Sequence, residues 1–127
     1  MVGEIRTPDT ASEVLRAATS GHLVLSTIHA NNITDAINSV VKYASSTSMS
    51  EELAYDLFSR GMLGVLHQTL NGVERKIPLV SYLFANPDST KGDQVRGIIK
   101  TGKLNLATSI ETQMTRMARG KNIFPDL

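Results

Sequence analysis

Residues 22–28 form a short apolar segment that constrains the fold more than any other part of the chain. The segment His22-Leu23-Val24-Leu25-Ser26-Thr27-Ile28 has the length and the β-branched content of a strand. It has no polar alternate face, which is typical of a strand in a sheet that is covered on both sides. Helical patterns precede and follow it, so the sequence predicts an α/β fold.

The helix before this segment has clear start and stop signals. Thr7-Pro8-Asp9 offers a capping hydroxyl, a proline for the first turn and an acid that the helix dipole favours. Gly21 stands where a C-terminal glycine cap is expected. Apolar residues recur between them at helical spacing: Ala11, Val14, Leu15 and Ala18.

Two more helices are predicted after the segment. The first carries an apolar stripe and ends near Tyr43; the stripe is Ile33, Ala36, Ile37, Val40 and Val41. The second begins with the capping-box pattern Ser48-x-x-Glu51 and closes near Arg60-Gly61, with Leu53, Leu57 and Phe58 on its apolar side.

The remainder predicts a β-hairpin and a helical end. Residues 62–70 and 77–84 are strand-like, and the turn signal Asn71-Gly72 separates them. A helix containing Val95, Ile98 and Ile99 follows and stops at Thr101-Gly102. A last helix runs from Ala107 or Thr108 to Ala118, with Ile110, Met114 and Met117 on one side.

Length and composition exclude several classes of protein. The 127 residues, 41% of them hydrophobic, suffice for a single packed domain and argue against a disordered chain. No apolar run approaches the roughly 20 residues that a membrane-spanning helix needs. With no cysteine, and with Glu4 where a signal peptide would be apolar, we expect a cytoplasmic location.

Glu4 and His29 are the candidates for chemistry, because each is expected at the carboxyl end of a strand, where α/β sheets collect their ligands. Taken alone, Glu4 is more in keeping with an ordinary capping or surface residue than with a functional one. His22 and His29 would stand about 23 Å apart along a strand that rises about 3.3 Å per residue, so they cannot share a metal ion. His67, within an apolar strand, is predicted to be a core or edge histidine.

The C-terminal half is basic, with a net charge of +4 against −3 for residues 1–64. Residues 91–121 hold seven basic side chains but offer no aromatic platform for stacking bases. A solvated helix face or an acidic protein partner is therefore favoured over nucleic acid. The chain also contains no G-x-x-x-x-G-K-[ST] phosphate loop and no G-x-G-x-x-G, G-x-S-x-G or H-E-x-x-H motif.

Two longer strings carry a family resemblance. They are Gly-Glu-Ile-Arg-Thr-Pro-Asp-Thr at residues 3–10 and Ala-Ala-Thr-Ser-Gly-His-Leu-Val-Leu-Ser-Thr-Ile-His-Ala-Asn at residues 17–31. They closely resemble the Walker B and histidine-box region of the hexameric motor ATPases of type II and type IV secretion, conjugation and type IV pili. Residues 65–70 and 95–103 resemble that family's later hairpin and helix, in the family's order. The conjugative and type IVB transport branch is the nearer one.

The resemblance implies a fold and roles for residues. The fold would be a partial RecA-like P-loop NTPase sheet with a β-hairpin, residues 1–86, followed by a C-terminal helical segment, residues 87–127. Glu4 would be the Walker B glutamate that polarises the attacking water and acts indirectly on Mg²⁺, and His29 would couple the nucleotide to subunit motion. Arg6, His22 and Asn31 would support the site or the subunit contact, and Ala30 replaces the family's more usual threonine.

The family's phosphate loop precedes the Walker B motif, at which this chain begins. We therefore expect a C-terminal part of a motor ATPase that is inactive alone and binds neither ATP nor Mg²⁺ by itself, although the full-length family uses both. The implied partners are other motor subunits in a hexamer, inner-membrane platform proteins that would hold it at that membrane, or a second copy. The alternative is a separate assembly module that docks on full-length motor subunits.

Overall fold

Five helices and two strands form the regular structure of the residues that the computed structural model describes, which are 3–46, 49–72, 74–86 and 94–124. The elements, in chain order, are α1 (Pro8–Thr19), α2 (Ile33–Ser45), α3 (Glu51–Gly61), β1 (Gly64–Asn71), β2 (Ile77–Phe84), α4 (Gln94–Lys100) and α5 (Ala107–Ala118). Among these helices, none is both long enough and apolar enough to cross a membrane.

The predicted ends of α1 are confirmed. The Thr7 hydroxyl accepts the Thr10 backbone N–H at 3.2 Å, and Pro8 opens the helix. Beyond the last turn, Gly21 adopts φ 94°, a left-handed conformation that only glycine enters at low cost. The His22 N–H then returns to the Ala17 carbonyl at 3.3 Å, which closes the helix.

The predicted stripe of α2 is confirmed and supplies the centre of the core. Its buried residues are Ile33, Ala36, Ile37, Val40, Val41 and Ala44. The Asn32 side chain caps the helix by accepting the Asp35 N–H at 2.8 Å. The helix ends at Ser45, two residues beyond the predicted end at Tyr43.

The predicted cap of α3 is wrong. Ser50 caps the helix, its hydroxyl accepting the Leu53 N–H at 3.1 Å, and Ser48 lies outside the described residues. The capping-box pattern pointed to Ser48, which has Glu51 three positions later, whereas Ser50 has Leu53 there and offers only the capping hydroxyl. The buried face differs accordingly, because Leu53 is 39% exposed whereas Ala54 and Tyr55 are buried.

The hairpin is confirmed as an antiparallel pair. Its register runs from Gly64 opposite Phe84 to Asn71 opposite Ile77. Gly72 turns the chain with φ 118°, and a Cβ there would approach the Arg75 carbonyl oxygen to 2.1 Å. The first strand begins at Gly64, later than the predicted residue 62, because Met62 still closes α3 through its N–H to the Phe58 carbonyl.

The prediction of a strand at residues 22–28 is wrong. The segment makes a single parallel bridge, between Thr27 and Glu4, and no other described strand pairs with it. Leu23 and Leu25 are 73% and 62% exposed, so the segment is not covered on both faces. Its apolar pattern is that of a buried strand, but the described residues provide neither neighbouring strands nor covering helices for it.

The two C-terminal helices are tied to the rest by polar side chains. Arg96 of α4 donates to the carbonyls of Ser59 and Arg60, at 2.7 and 3.0 Å, at the end of α3. Gln113 of α5 both accepts from the Phe84 N–H and donates to the Phe84 carbonyl, each at 2.8 Å. The predicted apolar side of α5 is therefore only partly correct, since Gln113 is buried and Met117 is 49% exposed.

Replacing Ile37 by alanine tests the central role of α2. The side chain is fully buried, so Ile37→Ala is expected to lower the free energy of unfolding by about 2–5 kcal/mol. Leu25→Ala is the control, because that side chain is 62% exposed and should cost no more than about 0.5 kcal/mol. Urea denaturation followed by circular dichroism measures both, and equal losses would contradict the assignment of the core.

Candidate functional site

Two chain segments run side by side where the candidate residues lie. The Ile5 N–H donates to the Thr27 carbonyl at 2.8 Å, and the Ser26 hydroxyl donates to the Gly3 carbonyl at 2.5 Å. The bridge between Glu4 and Thr27 is parallel. Parallel segments bring their carboxyl ends to the same edge, so the residues that follow each of them become neighbours.

The Glu4 carboxylate has a positively charged or ionisable partner on each oxygen. Its Oε1 lies 2.8 Å from His29 Nε2, and its Oε2 accepts from Arg6 Nε at 2.6 Å, with Arg6 Nη2 also in contact. Glu4 is 20% exposed, whereas the Arg6 and His29 side chains are 75% and 94% exposed. Ion pairs this open to water add little to stability, so the cluster does not hold the fold together.

The charge of Glu4 follows from these contacts. The hydrogen bond from Arg6 is the main cause that holds the pKa of the Glu4 carboxyl below its ordinary value of 4.5. Partial burial opposes the change, and the charges of Arg6 and His29 support it. At neutral pH the carboxylate is therefore ionised and acts as a hydrogen-bond acceptor.

The residues after His29 lead directly into α2. Asn31 is exposed and lines an open groove of about 540 Å³ together with His29, Asp35 and Lys42. The next residue, Asn32, is the helix cap described above, so the start of α2 fixes where the groove begins. Asn31 thus lies beside His29 on the surface, next to the cluster.

His22 lies at the other end of residues 22–28. Its backbone closes α1 and its side chain is exposed. The structure thus joins Glu4, Arg6 and His29 by direct contact, whereas His22 stands apart from them along the extended segment.

The sequence did not single out His67 as part of this region. Its Nε2 lies 2.9 Å from the Ala30 carbonyl oxygen, next to His29, and the side chain is partly buried. The register places His67 on the same face of β1 as Val65, which pairs with the buried Leu83. The pairing with β2 shows which face of β1 is turned inward. From the sequence, the alternation of side chains along residues 64–71 indicates only that His67 and Val65 share a face.

The described residues contain no group of three or more histidine, aspartate or glutamate side chains arranged to hold a metal ion. Within the cluster, Glu4 is the single carboxylate, and both of its oxygens have protein partners.

Arg6→Gln tests the cause of the altered acidity of Glu4. Loss of the guanidinium should raise the pKa of the Glu4 carboxyl towards its ordinary value. Since the folded-state pKa is lowered, the contacts favour the folded state above the ordinary carboxyl range and lose that effect as the pH falls through the lowered pKa.

A carbon-detected NMR titration of the Glu4 carboxyl measures this change. Arg16→Gln, an exposed arginine of α1, is the control and should leave the titration in place. An unchanged midpoint in Arg6→Gln would show that the hydrogen bond from Arg6 does not set the acidity.

Comparison with known proteins gives consistent matches. The type II secretion system protein E of Pseudomonas aeruginosa is 43% identical over 70 residues, covering 55% of this chain and 12% of that protein. The twitching motility protein of Neisseria gonorrhoeae is 25% identical over 138 residues, covering 99% of the chain and 36% of that protein. The chain therefore matches between 12% and 36% of the length of these two relatives.

Solved structures match over nearly the whole chain. The pilus retraction motor PilT with bound ADP superposes with a TM-score of 0.65 at 28% identity, covering 91% of this chain and 31% of PilT. The Legionella pneumophila ATPase DotB gives a TM-score of 0.65 at 20% identity, covering 95% of this chain and 35% of DotB, and shows the fold alone.

The mixed α/β fold class is thereby confirmed as that of these ATPases. Residues 1–78 match the type II/IV secretion system protein family, and the resemblance found in the sequence is confirmed. Since this match covers more than half of the chain, the protein belongs to the type II/IV secretion system protein family.

Proposed function

We propose that this chain supplies the water-activating and nucleotide-sensing part of a motor ATPase that drives secretion, conjugation or pilus movement. The observation that carries the proposal is the Glu4 carboxylate held between Arg6 and His29 at the ends of two parallel segments. Relatives named as a type II secretion protein and as pilus assembly ATPases support it. Residues 1–86 would form the ATPase part and residues 87–127 the helical segment.

The proposed catalytic residue is Glu4, acting on water. An ionised carboxylate has about four lone-pair sites on its two oxygens, so Glu4 can accept a hydrogen bond from a water molecule while Arg6 remains bound. Arg6 keeps the carboxylate charged and fixes its orientation. Glu4 would then draw a proton from the water as it attacks.

His29 is the proposed coupling residue. Its Nε2 faces Glu4 Oε1 at 2.8 Å, and an imidazole N–H can donate to only one acceptor well. A phosphate oxygen near the site would compete with Glu4 for that donor, so His29 would change partner according to the nucleotide. Asn31 beside it, and His22 at the far end of the segment, are proposed to support the site or the contact between subunits.

A complete site for ATP and Mg²⁺ requires a phosphate loop, and the sequence contains no such motif. Its closest approach to a phosphate loop is the stretch from Gly97 to Leu104, which has leucine where the motif requires a hydroxyl. The first four residues of that stretch belong to α4 and are helical rather than looped. We therefore propose that the 127-residue chain alone binds neither and is inactive, and that the phosphate loop comes from elsewhere in the motor.

The proposed setting is a cytoplasmic ring of motor subunits, a hexamer as in the family, that works against inner-membrane platform proteins. A second copy of this chain is a further proposed partner. Nucleic acid is not proposed, because the basic C-terminal segment carries no aromatic stacking surface.

ATP hydrolysis by a chimera tests the role of Glu4. Residues 1–78 would replace the matching stretch of the Pseudomonas aeruginosa type II secretion protein E, and the chimera should hydrolyse ATP whereas the isolated 127-residue chain should not. Glu4→Gln in the chimera is expected to lower turnover by about 10²–10⁴-fold, the usual contribution of a positioned general base.

Glu13→Gln is the matched control, because Glu13 is an exposed carboxylate of α1, and turnover should be unchanged. An active chimera that tolerates Glu4→Gln would remove Glu4 from the mechanism. Hydrolysis by the isolated chain that Glu4→Gln abolishes would contradict the proposed inactivity.

An assembly module that docks on complete motor subunits is the second candidate. Leu66, Leu70 and Val80 share one face of the hairpin in the observed register, and they are 68%, 62% and 45% exposed. Exposed apolar side chains grouped on one face are typical of a surface that another protein covers.

Co-purification with an intact motor ATPase tests this second function. The chain should be retained by the intact subunits, and Leu66→Glu should weaken that retention without unfolding the chain. Glu74→Gln, in the hairpin loop, is the control and should bind as the original does. A chain that stays monomeric and leaves the activity of the intact ATPase unchanged would exclude the docking role.

A further inference from the structure

The His67 side chain reaches from the hairpin to the loop that carries His29. Its Nε2 lies 2.9 Å from the carbonyl oxygen of Ala30, across 37 positions of the sequence. A carbonyl oxygen only accepts hydrogen bonds, so Nε2 must carry the proton and donate. The partial burial of His67 shields this bond from competition with water.

The loop between residues 27 and 32 is fixed at both ends by other contacts. Thr27 is paired with the strand-like segment containing Glu4 and Ile5, and Asn32 caps α2. Between these two anchors, the bond from His67 holds the backbone at Ala30, the residue that follows His29.

His29 itself depends on that backbone for its position. Its side chain is 94% exposed, so packing does not restrict where the imidazole points. A loop that carries a reacting group must be held to within about 0.5 Å, and an exposed side chain cannot supply that precision by itself. Support at the adjacent carbonyl restricts the backbone from which His29 reaches Glu4.

We propose that His67 is a positioning residue, whose hydrogen bond to the Ala30 carbonyl places His29 against Glu4. The geometry stands on the contacts alone, and its meaning for catalysis rests on the proposed function of Glu4 and His29. A purely structural histidine would contribute packing between β1 and the loop without controlling where His29 lies.

NMR spectroscopy of the full 127-residue chain tests the positioning role. A through-bond coupling between His67 Nε2 and the Ala30 carbonyl carbon should be present, and its absence would overturn the proposal. Nuclear Overhauser contacts between the His29 ring and the Glu4 side chain then report the placement directly.

Two substitutions separate positioning from packing. His67→Leu removes the donor and should abolish the contact between His29 and Glu4, whereas His67→Gln carries an amide N–H at a similar reach and should retain it. Gln68→Leu is the matched control, because it introduces the same leucine at the neighbouring, exposed position of β1, and it should leave the contact intact.

The possible results are decisive for His67 and independent of the ATPase proposal. Retention of the contact in His67→Leu would overturn the inference, as would its loss in a folded His67→Gln. Thermal unfolding of each variant shows which of them are folded. If His67→Leu does not fold, the through-bond coupling in the unchanged chain and the result for His67→Gln still test the positioning role. If Glu4→Gln left the turnover of the chimera unchanged, the proposed catalytic role would fail. The NMR result that His67 places His29 against Glu4 would still hold.

Discussion

The buried face of α2 packs against α1, α3 and both strands of the hairpin, and the positions of the other elements depend on this contact. Ile33, Ile37 and Val41 are at most 2% exposed and lie four residues apart along one face of the helix. Burial of such side chains contributes about 1.5–3 kcal/mol each, which is a large share of the stability of a small domain. The same helix starts four residues after His29, so the packing of the core also determines where the candidate site begins.

The sequence predicted the elements whose signals are local. Thr7 and Gly21 bound α1 as expected because capping depends on hydrogen bonds within one turn. The hairpin was predicted because its turn and its two strands are adjacent in the chain. Glu4 and His29 were paired by the family's spacing, and the structure brings them into contact, although their catalytic roles remain proposals.

The features that the sequence missed depend on distant partners. A strand exists only when a neighbouring backbone completes its hydrogen bonds, and in the described part of the chain residues 22–28 form one bridge, from Thr27 to Glu4. The contact from His67 to Ala30 depends on which face of β1 turns inward, and this follows from the pairing with β2. Ser50 caps α3 although Leu53 rather than an acid stands three positions after it, so the capping-box pattern at Ser48 misplaced the start of the helix.

The double hydrogen bond between Gln113 and Phe84 has a mechanical consequence. The amide side chain takes the place that the backbone of a further strand would occupy, because it satisfies both the N–H and the carbonyl of one residue. Sliding α5 along β2 would break both bonds together and leave two partly buried backbone groups without these partners, which costs free energy. The last helix is thus held at the end of the hairpin by two hydrogen bonds from one side chain, which resist movement of α5 along β2.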